Sequence, residues 1–177
     1  MEISIMTSPV LIFAIGNESR GDDGLAPLLL RMLEQWLQTA DIDQGKFELI
    51  ETFQLQIENT LDMQDRELIL FMDAGIETPA PFSFTRAEIT ATPNLFSHAL
   101  SPASLLALYP QIHQQAAAPA FILCLRGEQF DLGTGLSAAA ANRMNQAMIF
   151  MQELLHKDLH SWQACTAQRA PFDGVTS

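Results

Sequence analysis

The sequence is short of basic residues, of cysteine and of aromatic side chains other than phenylalanine. Only 9 of its 177 residues are Lys or Arg, against 21 Asp and Glu, giving a formal charge of −12. An acidic surface repels phosphate backbones, and the few basic residues are scattered from Arg20 to Arg169. Nucleic acid and anionic membrane surfaces are therefore disfavoured as partners. The two cysteines, Cys124 and Cys165, lie far apart with no CxxC spacing. A structural zinc site and a disulfide framework are both disfavoured, and a reduced, cytoplasmic setting is expected. No apolar run reaches the roughly 18–20 residues that span a bilayer. The first segment carries Glu2 where a signal peptide wants Lys or Arg, so no leader is expected.

What is present suits one packed domain. Hydrophobic residues make up 48% of the chain, too many for a largely disordered protein. At roughly 100–200 residues per domain, residues 1–177 form a single domain. Its core is expected over about 10–159 and a partly irregular tail over 160–177. Short apolar runs alternate with helical patterns, which is the mark of an α/β chain. Strands are predicted at Val10–Ile15, Phe47–Thr52, Leu68–Met72, Phe82–Thr85 and Phe121–Leu125. Leu25, Leu28, Leu29, Met32, Leu33, Trp36 and Leu37 form one apolar stripe on a helix. Pro27 fits only its first turn, which puts the helix start near Asp23–Gly24. A short helical stretch is expected around Ile57–Leu61. Ser101-Pro102 and Ser137 read as caps of two further helices. The expected fold is a three-layer α/β domain. Its mainly parallel twisted sheet has about five strands, the Phe82–Thr85 strand antiparallel, with helices on both faces.

In open parallel sheets, sites form where strands end and loops enter helices. That rule selects the loop after strand one, the end of strand three and the loop before the Ser101 helix. Each carries a residue able to bind a metal: Asp22 or Asp23, Asp73, and His98. The first loop runs Gly16-Asn17-Glu18-Ser19-Arg20-Gly21-Asp22-Asp23-Gly24. It has neither the GxGxxG spacing nor a Walker lysine. Two like charges ~4 Å apart at an effective dielectric of about 20 cost about 4 kcal/mol, so adjacent aspartates would repel a pyrophosphate. A nucleotide-binding module is disfavoured, and a nucleotide-induced thermal shift would revive it. A local reading stands beside the metal one: Asp22 caps the helix and Asp23 complements its dipole. Asp73 could serve a turn, and His98 could be a solvated loop histidine. His113 lies near a polar bend, while His156 and His160 share a solvated helix face. Without a Gly-x-Ser-x-Gly elbow or a recognisable cysteine nucleophile, a covalent hydrolase is disfavoured.

Taken together, Ile15-Gly16-Asn17 through Asp22-Asp23-Gly24, Met72-Asp73-Ala74 and Ser97-His98 resemble the hydrogenase maturation proteases. The resemblance runs in order from about Val10 to the last helix, with Gly133-x-Gly135-Leu136-Ser137 before that helix. The first loop, with Phe53-Gln54-Leu55-Gln56 downstream, looks most like the branch serving NAD(P)-linked bidirectional [NiFe]-hydrogenases. The resemblance implies an endopeptidase that removes a C-terminal extension from the hydrogenase large-subunit precursor after nickel insertion. Cleavage would let the new C-terminus close over the active site. The family's metal-contacting acid falls on Asp23, where many members carry Glu; its second acid falls on Asp73 and its histidine on His98. Asp22 matches an acid with a more local role. Ala99 follows the matched histidine.

Two carboxylates and an imidazole suit a borderline divalent ion such as nickel. They cannot rival a thiolate cage, so nickel would stay on the substrate as a recognition mark, with no tightly bound cofactor. The ion could polarise the scissile carbonyl or lower the pKa of an attacking water. Asp23 or Asp73 could act as general base. An acidic enzyme suits a basic patch on its customer, and a monomer is expected. The rival is a non-enzymatic nickel-handling chaperone that uses the same three ligands. Gln54, Gln56 and Glu58 could line a peptide groove, against a plain reading as solvated surface.

Overall fold

Six consecutive apolar residues, Val10–Ile15, form strand β1, and all six are buried. A strand with both faces covered has no need to alternate polar and apolar residues. The computed structural model describes residues 7–89 and 100–166. In it β1 lies between β2 (Phe47–Thr52) and β3 (Leu68–Gly75), parallel to both, with Val10 opposite Phe47 and Leu68. Strand β5 (Ala120–Arg126) adds in parallel to β3, pairing Ile69 with Ala120. Strand β4 (Phe82–Arg86) closes the edge antiparallel to β5. The sheet order is β2-β1-β3-β5-β4, so the fold is the mainly parallel α/β sheet that the sequence predicts.

Each face of the sheet buries its own core. Val10, Ile12, Ala14, Leu68, Leu70 and Met72 face α1 (Leu25–Leu37) and α4 (Ala138–Leu155). The alternate residues Leu11, Phe13, Ile69 and Phe71 face α3 (Pro102–His113), with Leu55 and Met63 beside the short α2 (Asn59–Asp62). Period-two alternation assigns every strand residue to one layer or the other. The predicted caps hold at both later helices. Ser101 accepts from Ser104 N at 3.1 Å, and Ser137 accepts from Ala140 N at 3.2 Å. Among the described residues, no helix is long and apolar enough to cross a membrane.

Three boundaries differ from expectation. Strand β3 runs on through Gly75, so Asp73 lies inside a strand rather than in the turn after it. Ala74 and Gly75 still find rungs opposite Leu125 and Arg126, and that pairing carries the strand beyond its apolar run. The helix near Ile57 is the single turn Asn59–Asp62. The core also passes residue 159. Trp162, in the short helix α5 (Trp162–Cys165), is fully buried against Phe84 and Phe121.

Trp162→Ala is therefore expected to cost about 3–5 kcal/mol of stability, read from urea unfolding. Its buried Nε1 has no hydrogen-bond partner, so Trp162→Phe strands no acceptor and should cost markedly less. A Trp162→Ala loss below about 1 kcal/mol would show that this ring is no part of the cooperative core.

Candidate functional site

Strands β2 and β3 lie on opposite sides of β1, so the chain changes direction across the sheet at the carboxyl ends of β1 and β3. Such a switch point opens a crevice, because the loops leaving the two strands diverge. One side of the crevice is the loop over residues 16–24. Its first residue is tied to the neighbouring strand by Gly16 N donating to Thr52 O at 3.0 Å. Gly16 has φ +149°, and a Cβ there would sit 1.9 Å from the Asp23 carbonyl oxygen. Gly21 has φ +57°, and a Cβ there would sit 2.3 Å from the Gln129 carbonyl oxygen. Only glycine permits the loop to fold this closely on itself and on the segment after β5.

Asp22 is fully buried and does not cap α1, contrary to the local expectation. Its Oδ2 accepts from Glu128 N at 2.7 Å, Gln129 N at 3.1 Å and the Ser137 hydroxyl at 2.9 Å; its Oδ1 accepts from Ser137 N at 2.8 Å. Burial pushes the carboxyl pKa up, but the N–H donors of Glu128, Ser137 and Gln129 and the Ser137 hydroxyl outweigh it. The net pKa is below the ordinary value. Through these bonds the loop after β1 is fastened to the loop after β5 and to the first residue of the α4 cap. Gly21 N to Thr134 O at 3.0 Å and Gly133 N to Ser19 O at 2.7 Å complete the seam.

Fixing Asp22 also sets the position of its neighbour. The Asp23 Oδ2 accepts from Asn17 N at 2.9 Å, and the side chain remains partly exposed at the crevice. Asp73 comes from the other strand. Alternation puts it on the same face as Phe71, whose ring stacks on Phe13 at 5.4 Å, so its carboxyl rises from an apolar floor. Burial pushes its pKa up to about 6; the Ala74 N–H at 2.8 Å works against this, and the Asp23 carboxylate adds to it. The loop that carries Asp23 leaves β1 beside the carboxyl end of β3, which carries Asp73, and so brings both acids to one crevice. Cys124, directly opposite Asp73 on β5, carries a thiol pushed up by burial and hydrogen-bonded to Thr78 at 2.8 Å. Nothing in the sequence singles out Cys124 here, because only the β3–β5 register brings it opposite Asp73.

His98, the third residue named from sequence, lies outside the described residues. Nearby, Leu100 N donates to Leu55 O at 3.1 Å, tying the approach to α3 onto the segment after β2. Among the described residues no three His, Cys, Asp or Glu side chains stand close enough to hold a metal ion. His113 is instead bonded to Gln64 at 2.9 Å, and His156 to the Gln152 carbonyl at 2.7 Å. Gln56 and Glu58 are exposed and Gln54 is half-buried. Chemically the crevice offers two convergent carboxylates, one of them poised to exchange a proton near neutral pH. A cation seated between them would relieve their repulsion.

Two substitutions test this geometry. Asp22→Ala removes a fully buried carboxylate and leaves three backbone N–H groups without their acceptor, and is expected to cost about 3–5 kcal/mol in chemical unfolding. Asp22→Asn, which keeps one accepting oxygen, should fall between. Asp73 has the opposite sign. Its folded pKa lies above the unfolded value, so the fold binds the extra proton and loses stability as pH rises from about 4 to about 6. In the metal-free protein Asp73→Asn should therefore gain up to about 3 kcal/mol over wild type at pH 7 and almost nothing at pH 4. A stability difference that does not vary with pH would show that Asp73 is not desolvated.

No protein-family model and no curated protein matches the sequence. Solved structures do match. The hydrogenase maturating endopeptidase HybD from E. coli superposes with a TM-score of 0.64 at 19% identity, over 82% of this chain and 91% of that one. The [NiFe] hydrogenase maturation protease HycI from Thermococcus kodakarensis gives 0.61 at 17% identity, over 85% and 94%. HybD from the same organism gives 0.59 at 19% identity, over 82% and 98%. The likeness is one of architecture, and it extends over nearly the whole length of each of these proteins. The chain has the fold of the hydrogenase maturation endopeptidases.

Proposed function

We propose that this protein is the endopeptidase that trims the C-terminal extension of a [NiFe]-hydrogenase large-subunit precursor once nickel is in place. The observation that carries this reading is the pairing of Asp23 and Asp73 at the switch point of this fold. Two hard oxygen donors, one from the loop after β1 and one from β3, suit a divalent ion approached from one open side. With His98 as third ligand the set would be O,O,N, weaker than the thiolates of a precursor. Nickel then belongs to the substrate and marks it as ready, and the enzyme carries no resident cofactor.

The proton chemistry in this reading falls to an oxygen of Asp23 or Asp73 that the ion leaves free, which takes a proton from water and returns it to the leaving amine. Asp23 is held by Asn17 N through one oxygen, leaving the other for the ion. Substrate-borne nickel adds Lewis acidity at the scissile carbonyl. The loop over 16–24 with Phe53-Gln54-Leu55-Gln56 supports assignment to the branch acting on NAD(P)-linked bidirectional hydrogenases. A cytoplasmic monomer acting on a partner with a basic surface accords with the charge of −12.

The test is the intact mass of a cognate large-subunit precursor after incubation with this protein, nickel-loaded and nickel-free side by side. The expected result is loss of a C-terminal fragment from the loaded form only, abolished in Asp23→Ala. An unchanged mass with a precursor that a known maturation protease does cleave would overturn the proteolytic reading. Such a result would favour a nickel-handling chaperone. Equal cleavage of both forms would discard nickel as the gate.

A further inference from the structure

The protein's acidity makes a guanidinium at the carboxyl end of its sheet conspicuous. Arg126 is the last residue of β5, opposite Gly75 and two residues beyond Cys124, which faces Asp73. Strand alternation therefore puts Asp73, Cys124 and Arg126 on one face of the sheet. One strand spacing of about 4.8 Å and two residues at about 3.3 Å each separate the Asp73 and Arg126 backbones by roughly 8 Å, the reach of two or three residues of extended peptide.

The guanidinium is positioned and only partly used. Its Nη1 donates to the Thr78 carbonyl at 3.0 Å, and the Thr78 hydroxyl is bonded to Cys124. Its backbone is held as well, with N donating to Pro81 O at 3.1 Å and O accepting from Arg143 Nη1 at 3.4 Å. Yet Nε is buried and has no hydrogen-bond partner. Among the described residues Arg31, Arg66 and Arg143 each pair with a glutamate, whereas Arg126, like Arg20 and Arg86, has no carboxylate partner. Asp73 does not serve as its counter-ion either, since that carboxyl feels burial and a like charge and no cation. Nε is closed off in this conformation and Nη1 is taken, so Nη2 is the donor within reach of a carboxylate from outside the chain.

We propose that Arg126 is a specificity-determining residue that binds a carboxylate of the peptide segment to be removed, two or three residues from the bond over Asp23 and Asp73. This rests on the proteolytic reading above. A peptide chain offers that chemistry from two sources, an acidic side chain or the terminal α-carboxylate. Either would anchor the extension and set its register against the two aspartates. Arg126 would then act on binding and alignment, while the proton chemistry stays with the acids.

Kinetics with nickel-loaded precursor decide the matter. Wild type, R126Q and R126K would be compared on the native precursor and on precursors altered in the extension. In one set each acidic side chain is replaced by its amide; in another the terminal carboxylate is amidated. R126Q is expected to lower kcat/KM at least tenfold, mainly through KM, with R126K intermediate. One altered precursor should cost wild type a similar factor and cost R126Q nothing more, and which one does so names the source. Losses that multiply on every altered precursor, or an R126Q enzyme equal to wild type, would overturn the inference alone. Failure of wild type to cleave any precursor removes the proteolytic reading and this one with it. Thermal unfolding checks the variants. If R126Q does not fold, R126K decides, with a KM raised at least threefold on native precursor and unchanged on the amide form.

Discussion

Strands β1 and β5 are not neighbours; β3 lies between them. Their carboxyl ends are nevertheless joined by one carboxylate, because Asp22 reaches from the loop after β1 to take hydrogen bonds from Glu128, Gln129 and Ser137. The linkage passes over the end of β3, so it fixes the loops on both sides of Asp73 at once. A buried anion without a cation is tolerable only when several N–H and O–H donors replace its hydration, and four do so here. The glycines follow from the same constraint. Gly21 lies against the Gln129 carbonyl because the two loops are drawn into contact, and Gly16 lies against Asp23 because the loop doubles back within a few residues. Without the carboxylate the loop that carries Asp23 keeps its backbone bonds to Thr52, Gln129, Gly133 and Thr134 and the Asn17 N–H on Asp23 itself.

The acids in this region then do opposite things for physical reasons that can be read separately. Asp22 is buried among donors, which favours its charged form. Asp73 is buried on an apolar floor with one donor and a neighbouring negative charge, which favours its neutral form. Environment, and not residue type, divides the roles. The division has a thermodynamic cost at neutral pH, borne by the surrounding sheet. With β1 on one side and β5 on the other, β3 cannot relax to rehydrate Asp73. A destabilised carboxyl held in a strand paired on both sides is a candidate for binding a cation or exchanging a proton.

What could be read from the sequence was local. The run Val10–Ile15, the stripe from Leu25 to Leu37 and the caps Ser101 and Ser137 announce themselves through neighbours at fixed spacing, and the structure has each of them. The switch-point rule selects three loops and, on them, Asp22 or Asp23, Asp73 and His98; the choice of Asp23 comes from the family resemblance alone. Of the two readings open for Asp22, the helix cap fails because its donors lie more than 100 residues away in sequence. Trp162 was missed because a single turn has no period to detect. Cys124 and Arg126 depend on which rung of β5 meets which rung of β3, and strand register across a crossover is not written in either strand alone.

The structural match at under 20% identity, with no match from sequence comparison, fits the same division. A parallel sheet with two covered faces asks only for apolar residues in alternate layers, and many sequences satisfy that. The crevice asks for much more: a glycine that can approach a carbonyl, an acid that accepts four bonds, and a second acid held on the neighbouring strand. These demands fall on a few positions in the loop over 16–24 and at the end of β3, too few to register in a whole-chain comparison. They decide what the surface can bind. On the proposed reading the crevice is electrostatically two-ended, with carboxylates where a cation would sit and the guanidinium of Arg126 on a residue whose backbone lies roughly 8 Å from that of Asp73. A peptide carrying both a metal at one end and a carboxylate at the other would be complementary to it, whereas an unloaded or uncharged chain would match only one half.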